Sequence, residues 1–372
     1  MNRRNFLAVA VGSALVAALP FGSALAAGSG IIPPTRTRGT TVRSVKDYGA
    51  KGDGVTDDTA AFNRAIASLP SSGGTVTVPA GTYLIDPWRN GAWGVNLRSY
   101  MLLSMDSNAI LKSKTTNQKR TRMINVPSGA TQVEVAGGQL QGDRATHIYA
   151  SGSTDEWNMG IQIGGATHVT IRDLWVGNFT GDGVCTGGGT TDLVIANIVS
   201  TNNRRQGLSI THAYSVKVLD SEFSYTNGTA PQHGIDVEPD SPYTCTDVLI
   251  QNCNLHHNAG VGIEVHQRVS RTTIKNNVMT YNTYGVYTGS PDDHGEISGN
   301  TIEHNRWCGV YFSSGTTSYS VFGNTFANNR TKSTGVKMNL GSPVAKTGMS
   351  TTHIEGSSTG NTIGSNYYCT AT

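Results

Sequence analysis

Two short segments, Gly234-Ile235-Asp236-Val237-Glu238 and Gly262-Ile263-Glu264-Val265-His266, concentrate three carboxylates and an imidazole. Successive side chains of a β-strand point to opposite faces. With Ile235 and Val237 turned inward, Asp236 and Glu238 share the outer face. The same rule puts Glu264 and His266 together. Strand rise separates Asp236 from Glu238 by roughly 6.6 Å, and stacked strands lie roughly 4.8 Å apart. On adjacent strands the four side chains form a solvent-facing square, Asp236 above Glu264 and Glu238 above His266. Like charges this close raise one carboxyl pKa and leave another group ionised. Cleavage of a glycosidic bond needs that division between a proton donor and a base or nucleophile. Spacings of ~5–5.5 Å for retention and ~6.5–9.5 Å for inversion are both within reach here, so the stereochemistry stays open. The non-catalytic alternative is an acidic surface patch or a metal site.

Other side chains gather round the square. Asp182 precedes Gly183, His233 precedes Gly234, and Arg204 and Arg205 lie in the turn entering the Ser209 strand. Asp240 falls in the long loop from Pro239 to Thr246, and His212 and Lys217 are less well placed. Tyr287 and Tyr311 continue the outward strip toward the C-terminus, where their rings suit stacking on sugars, and Trp157 and Trp307 border it. Asp236, Glu238, Glu264 and His266 are therefore the candidate catalytic residues. Arg205, His233, Tyr287, Tyr311 and Asp182 are the candidate substrate-binding ones. For each of these the plain alternative is a solvated charge or an exposed ring.

The elements that position these groups recur. A glycine, an apolar residue, a variable one and usually another apolar one start at Gly160, Gly183, Gly207, Gly234, Gly262, Gly285, Gly309 and Gly335, in steps of 23, 24, 27, 28, 23, 24 and 26. A second column sets an apolar residue three before an asparagine, as in Val199/Asn202, Leu255/Asn258, Met279/Asn282, Ile302/Asn305 and Phe326/Asn329. Asparagine tolerates the left-handed backbone of tight turns, and stacked asparagines can bond from coil to coil. Short strands at an irregular period near 24, with no helix between them, predict an all-β, right-handed parallel β-helix, a solenoid forming a single domain over 44–372. Before the repeats, Asp57-Asp58 can cap a helix carrying Phe62, Ala65, Ile66 and Leu69 on one face, a capping element for the open end.

The segment from Val45-Lys46-Asp47-Tyr48-Gly49 through Gly52-Asp53-Gly54-Val55-Thr56-Asp57-Asp58-Thr59, with Gly73-Gly74-Thr75-Val76 and Val78-Pro79-Ala80-Gly81-Thr82-Tyr83, resembles the opening of the pectate-lyase-like superfamily. More closely it is similar to the rhamnogalacturonase/epimerase-like branch, which includes polysaccharide hydrolases, lyases, phage tailspikes and uronate epimerases. The resemblance covers about residues 42–340 and implies the β-helix fold without fixing the reaction. Three reaction signatures are missing. Gly181-Asp182-Gly183 has one Asp where polygalacturonases usually have an adjacent pair, and only Gln232-His233-Gly234 is similar to their Gly-His-Gly. Neither the mannuronan epimerase motif Tyr-Gly-x-Asp-Pro-His nor the pectate lyase Arg-x-Pro-x-x-Arg is present.

Three functions follow as alternatives. The first is a glycoside hydrolase without cofactor, Asp236, Glu238 and Glu264 sharing the acid and base roles. In the second, a uronate lyase, these three would hold Ca²⁺, and Arg205, His233 or His266 would abstract the proton. The third is a non-catalytic carbohydrate-binding surface protein. In each the partner is a polysaccharide or oligosaccharide. Gly supplies 45 of 372 residues and charged residues only 14%, against averages of about 7% and about 25%, which favours turn-rich β structure. A net charge of +3 argues against nucleic acid. Residues 1–27, with Arg3-Arg4-Asn5-Phe6-Leu7, an apolar run and a small-residue end at Ala26, read as a twin-arginine signal peptide. The expected location is therefore periplasmic or extracellular, with no membrane contact after its removal. Residues 28–43 read as a flexible lead-in. Of five cysteines, Cys245 and Cys253 form a weak disulfide candidate and the rest read as small core residues.

Overall fold

A computed structural model describes residues 28–329 apart from 90, 153–154, 290–291 and 314–315, together with the strands Thr352–Ile354, Thr362–Ile363 and Tyr367–Tyr368. The expected leader, the Gly335 repeat and Cys369 lie outside the described residues. The chain winds into a solenoid of three parallel sheets with 12, 12 and 10 strands. The first sheet begins at Thr41–Ser44, the second at Asp53–Asp57 and the third at Val95–Asn96.

The glycine-led repeat builds the third sheet. Val184, Leu208, Ile235, Ile263, Val286 and Val310 are successive register partners, and each is wholly buried. The glycine before them is a matter of space. A Cβ on Gly207 would run into the Gly234 carbonyl and sit 3.1 Å from a Phe223 ring carbon.

Asparagines rivet the coils along the turn from the second sheet to the third. Asn258 Nδ2 donates to Asn282 Oδ1 at 2.9 Å, Asn282 to Asn305 at 3.3 Å and Asn305 to Asn329 at 3.0 Å. The left-handed backbone falls one residue earlier than the sequence suggests, at His257, Tyr281 and His304. Asn202 belongs to that left-handed column, with φ 54°, and its neighbour Asn203 takes the buried position.

The helix runs Thr59–Ala67, shorter than Asp57 to Leu69, and buries Phe62, Ala65 and Ile66. Asp57 Oδ1 accepts the Thr59 N–H at 3.0 Å, whereas the Asp58 carboxylate turns back to the Lys51 and Gly52 N–H groups. The segment read as a lead-in runs across the outer side of the first sheet. Arg36 is buried there against Thr170 and Asp192, and Ser29 bonds Asp220. Ile31 packs on Val194, Ala196 and Leu219. Cys245 and Cys253 are buried free thiols, so the disulfide candidate does not form. Among the described residues no helix is long and apolar enough to cross a membrane.

Candidate active site

The outward residues of the third sheet run Gln162, Cys185, Ser209, Asp236, Glu264, Tyr287 and Tyr311 in direct register. Beside them runs a second column, the residue before each repeat glycine: Asp182, Gln206, His233, Val261, Tyr284 and Cys308. Four of these six, Asp182, Gln206, His233 and Tyr284, reach the outward residue of the next coil. Ser209 Oγ donates to Asp182 Oδ2 at 2.8 Å. Gln206 Nε2 donates to Asp236 Oδ2. His233 Nε2 meets Glu264 Oε2 at 2.5 Å. Farther along, Tyr284 packs against Tyr311 at 5.3 Å. The fold thus pairs a turn residue with a strand residue, coil after coil, and the chemistry depends on which residues occupy the two columns.

The backbone fixes the orientation of two of these partners. Gln206 Oε1 accepts the His233 N–H at 2.8 Å, which leaves its NH₂ facing Asp236. His233 Nδ1 accepts the Val261 N–H at 2.8 Å, so that nitrogen carries no proton. The ring proton therefore sits on Nε2 and is donated to Glu264, a neutral histidine holding a carboxyl.

Asp236 is not solvent-facing. It points away from the apolar core, as alternation requires, but Gln206 and its neighbours cover it and only 2% of it is exposed. Burial, then the Glu264 and Glu238 charges, raise its pKa well above the usual carboxylate value. Its Oδ1 is buried and meets no hydrogen-bond partner. Glu238 and His266 are half-buried, and His266 Nε2 lies 4.0 Å from Glu238 Oε1 and 3.9 Å from Glu264 Oε1. The square of carboxylates and imidazole is therefore assembled, with one corner submerged.

The other expected site residues divide. His233 stands at the centre beside Glu264. Asp182 is fully buried rather than exposed, held by Arg205 Nη1 at 3.2 Å and by Ser209. Burial outweighs these partners and raises its pKa. Arg205 also approaches Glu156 at 3.4 Å. Tyr311 is buried, so it is no surface platform. Its ring stacks on that of Tyr287, 5.0 Å away and within 5° of parallel, and the half-buried Tyr287 faces outward. Asp240 is exposed in its loop, and Lys217 lies in a strand of the first sheet, away from the square.

An open cleft of about 560 Å³ lies over the C-terminal side of the square. His233, Glu264, His266, Tyr284, Tyr287 and Trp307 line it. Gln206, Tyr284 and Glu156 escaped the sequence reading. The column before each glycine contains the first two, but within it only the titratable Asp182 and His233 signal chemistry by residue type. Among the described residues no group of three or more His, Cys, Asp or Glu side chains is disposed to hold a metal ion.

A solenoid of three parallel sheets with a polar groove on one of them defines the class of parallel β-helix proteins. The chain belongs to the family described as rhamnogalacturonase A/epimerase, pectate lyase-like, matched over residues 42–289, and residues 233–370 match a right-handed β-helix region. It is 30% identical over 290 residues to the uncharacterized protein YclG of Bacillus subtilis, covering 71% of this chain and 46% of YclG. It is 28% identical over 247 residues to the pre-neck appendage protein of Bacillus phage phi29, covering 60% of this chain and 27% of that one. The chain thus spans less than half of these curated relatives. Among solved structures, the A-module of mannuronan C-5 epimerase AlgE6 of Azotobacter vinelandii superposes with TM-score 0.59 at 18% identity, covering 89% of this chain and all of the module. An exopolygalacturonase of Thermotoga maritima superposes with TM-score 0.53 at 11% identity, covering 80% and 89% of the two chains. Both likenesses concern the fold.

Proposed function

We propose that this chain is an exported polysaccharide-cleaving enzyme, a glycoside hydrolase working in the cleft over the third sheet. The observation that carries the reading is the pairing of Asp236 with Glu264 on adjacent strands, one carboxyl submerged and the other lining the cleft. Asp236 is the proton donor. Burial and its acidic neighbours favour its protonated form, as a general acid requires near neutral pH. Its Oδ1 is the oxygen that Gln206 leaves free to carry that proton. A buried polar atom without a partner costs about 1–3 kcal/mol, a cost that a ligand oxygen at that point removes. Glu264, aimed by His233, takes the complementary role of base or nucleophile, and Glu238 and His266 border the reacting centre. Tyr284, Tyr287 and Trp307 offer aromatic surface to sugar rings. Two structural relatives, a mannuronan C-5 epimerase and an exopolygalacturonase, support a polysaccharide substrate. Export rests on the twin-arginine leader.

The test is incubation of the purified chain with plant, algal and bacterial polysaccharides, with and without chelator. New reducing ends, no absorbance from unsaturated uronate and indifference to chelator are expected. Unsaturated products would replace the hydrolase by a lyase, inverted uronates without chain cleavage by an epimerase, and no product with any glycan by a binding protein.

A further inference from the structure

Three guanidinium groups converge on the N-terminal side of the carboxyl pair. The strand Arg120–Val126 pairs with Trp157–Gly164, setting Arg120 opposite Trp157 and Arg122 opposite Met159. The Arg120 guanidinium lies 5.1 Å from the Trp157 ring centroid, and Arg205 reaches the same ring at 5.7 Å. Arg122 lies two residues from Arg120 on the same strand and opposite Met159, two residues from Trp157.

Their charges are unequally balanced. Arg205 has Asp182 and Glu156. Among the described residues neither Arg120 nor Arg122 has an acidic partner, and the buried Nε of Arg122 has no acceptor at all. Burial, then repulsion from Arg120, lowers the Arg122 pKa, yet a guanidinium keeps its charge in proteins. A half-buried cation without a counter-ion is costly, and an anion arriving there recovers that cost through charge-assisted, bidentate hydrogen bonds.

We propose that Arg120 and Arg122, with Trp157 as a ring platform, form an anion subsite for the carboxylate of an acidic sugar residue. This rests on reading the groove as a polysaccharide site. The register Asn125, Gln162, Cys185, Ser209, Asp236 sets the subsite four strands from the carboxyl pair, roughly 19 Å at about 4.8 Å per strand. The subsite therefore grips the polymer at a distance from the broken bond. The opposite side of the centre, lined by Tyr284, Tyr287 and Trp307, is aromatic. A bound chain thus has an acid-recognising end over Arg122 and a ring-stacking end over Tyr287.

The test uses the Asp236→Asn variant to suppress turnover. Calorimetry compares polygalacturonate and mannuronan, the polymers named for the two structural relatives, with the same chains after reduction of their carboxyls. At least one acidic chain is expected to bind about 10-fold tighter than its reduced form, with the advantage shrinking as salt rises. Adding Arg122→Gln should remove the preference, and Arg122→Lys should restore part of it. Equal affinity for acidic and reduced chains, or no binding of either acidic chain, overturns the proposal. So does an Arg122→Gln protein that melts like its parent and keeps the preference. A parent protein that prefers the acidic chains yet never cleaves them retains the subsite and removes only the hydrolase.

Discussion

His233 Nε2 donates to Glu264 Oε2 across 2.5 Å, while His233 Nδ1 accepts the Val261 N–H at 2.8 Å. One imidazole thus ties the turn of one coil to the carboxyl of the next. The backbone donor settles which tautomer it adopts, and the carboxyl receives a donor fixed in position.

His233 is a positioning residue, and its removal should appear as a loss of alignment. His233→Ala should lower kcat by about 10- to 100-fold, with KM changed less. His233→Gln keeps an N–H for Glu264 and an amide oxygen able to accept from Val261, and should retain more activity than Ala. Steady-state kinetics on a confirmed substrate would decide. Equal activity of both variants with the parent would leave Glu264 without need of its partner.

Asp236→Asn should reduce cleavage at least ~100-fold, the loss of a proton donor. Its effect on stability has a definite sign. The folded Asp236 pKa is raised above the ordinary 3.8, so above pH 3.8 the unfolded chain releases a proton that the folded chain keeps. Stability of the parent then falls as pH rises toward the folded-state value. Asn has no proton to release. The variant should gain on its parent across that window, and the difference should become constant below pH 3.8, under both pKa values. Melting curves from pH 3 to pH 8 measure it. A difference that stays the same from pH 3 to pH 8, or moves in the parent's favour as pH rises, would contradict the buried, protonated Asp236.

The solenoid was legible because its signal repeats. Ile235, Ile263 and Val286 each follow a glycine, and a single alternation rule then orients Asp236, Glu264 and Tyr287. Depth was not legible. Alternation shows that Asp236 leaves the apolar core, but Gln206, which covers it, comes from the preceding coil, 30 residues away in sequence. The same holds for Tyr311, buried beside Tyr284 and Tyr287. A periodic sequence specifies direction along the sheet, whereas exposure depends on neighbours in the next coil.

Asn282 shows what the ladder contributes. Its Nδ2 donates to Leu255 O at 2.9 Å and its Oδ1 accepts from Asn258 Nδ2 at 2.9 Å, all buried. Asn282→Ala orphans groups in two coils at once and should cost about 2–4 kcal/mol. Denaturant titration checks this, and a cost below about 0.5 kcal/mol would make the ladder ornamental.

Tyr287 and Trp307 should act on binding rather than on the chemical step. Both line the cleft beyond Glu264, and neither reaches the Asp236 side of the square. Replacing either by Ala should raise KM about 5- to 10-fold, since aromatic pairs contribute about 0.5–1.5 kcal/mol beyond area, and should leave kcat nearly unchanged.

The Asp182–Arg205 pair supplies the last prediction. Asp182 is fully buried, and Arg205 Nη1 is its cation at 3.2 Å. Arg205→Ala leaves a buried carboxyl held by Ser209 Oγ at 2.8 Å, and breaking such a pair costs about 3–5 kcal/mol. Asp182→Asn alone leaves Arg205 with Glu156, 3.4 Å from its Nε, so it should cost less. Combining the two removes the stranded charge, and the double variant should be more stable than Arg205→Ala alone. Guanidinium denaturation of the parent, both single variants and the double variant gives the coupling directly. Additive losses would mean that Arg205 does not stabilise Asp182, and the buried carboxyl would then rest on Ser209 and its own protonation.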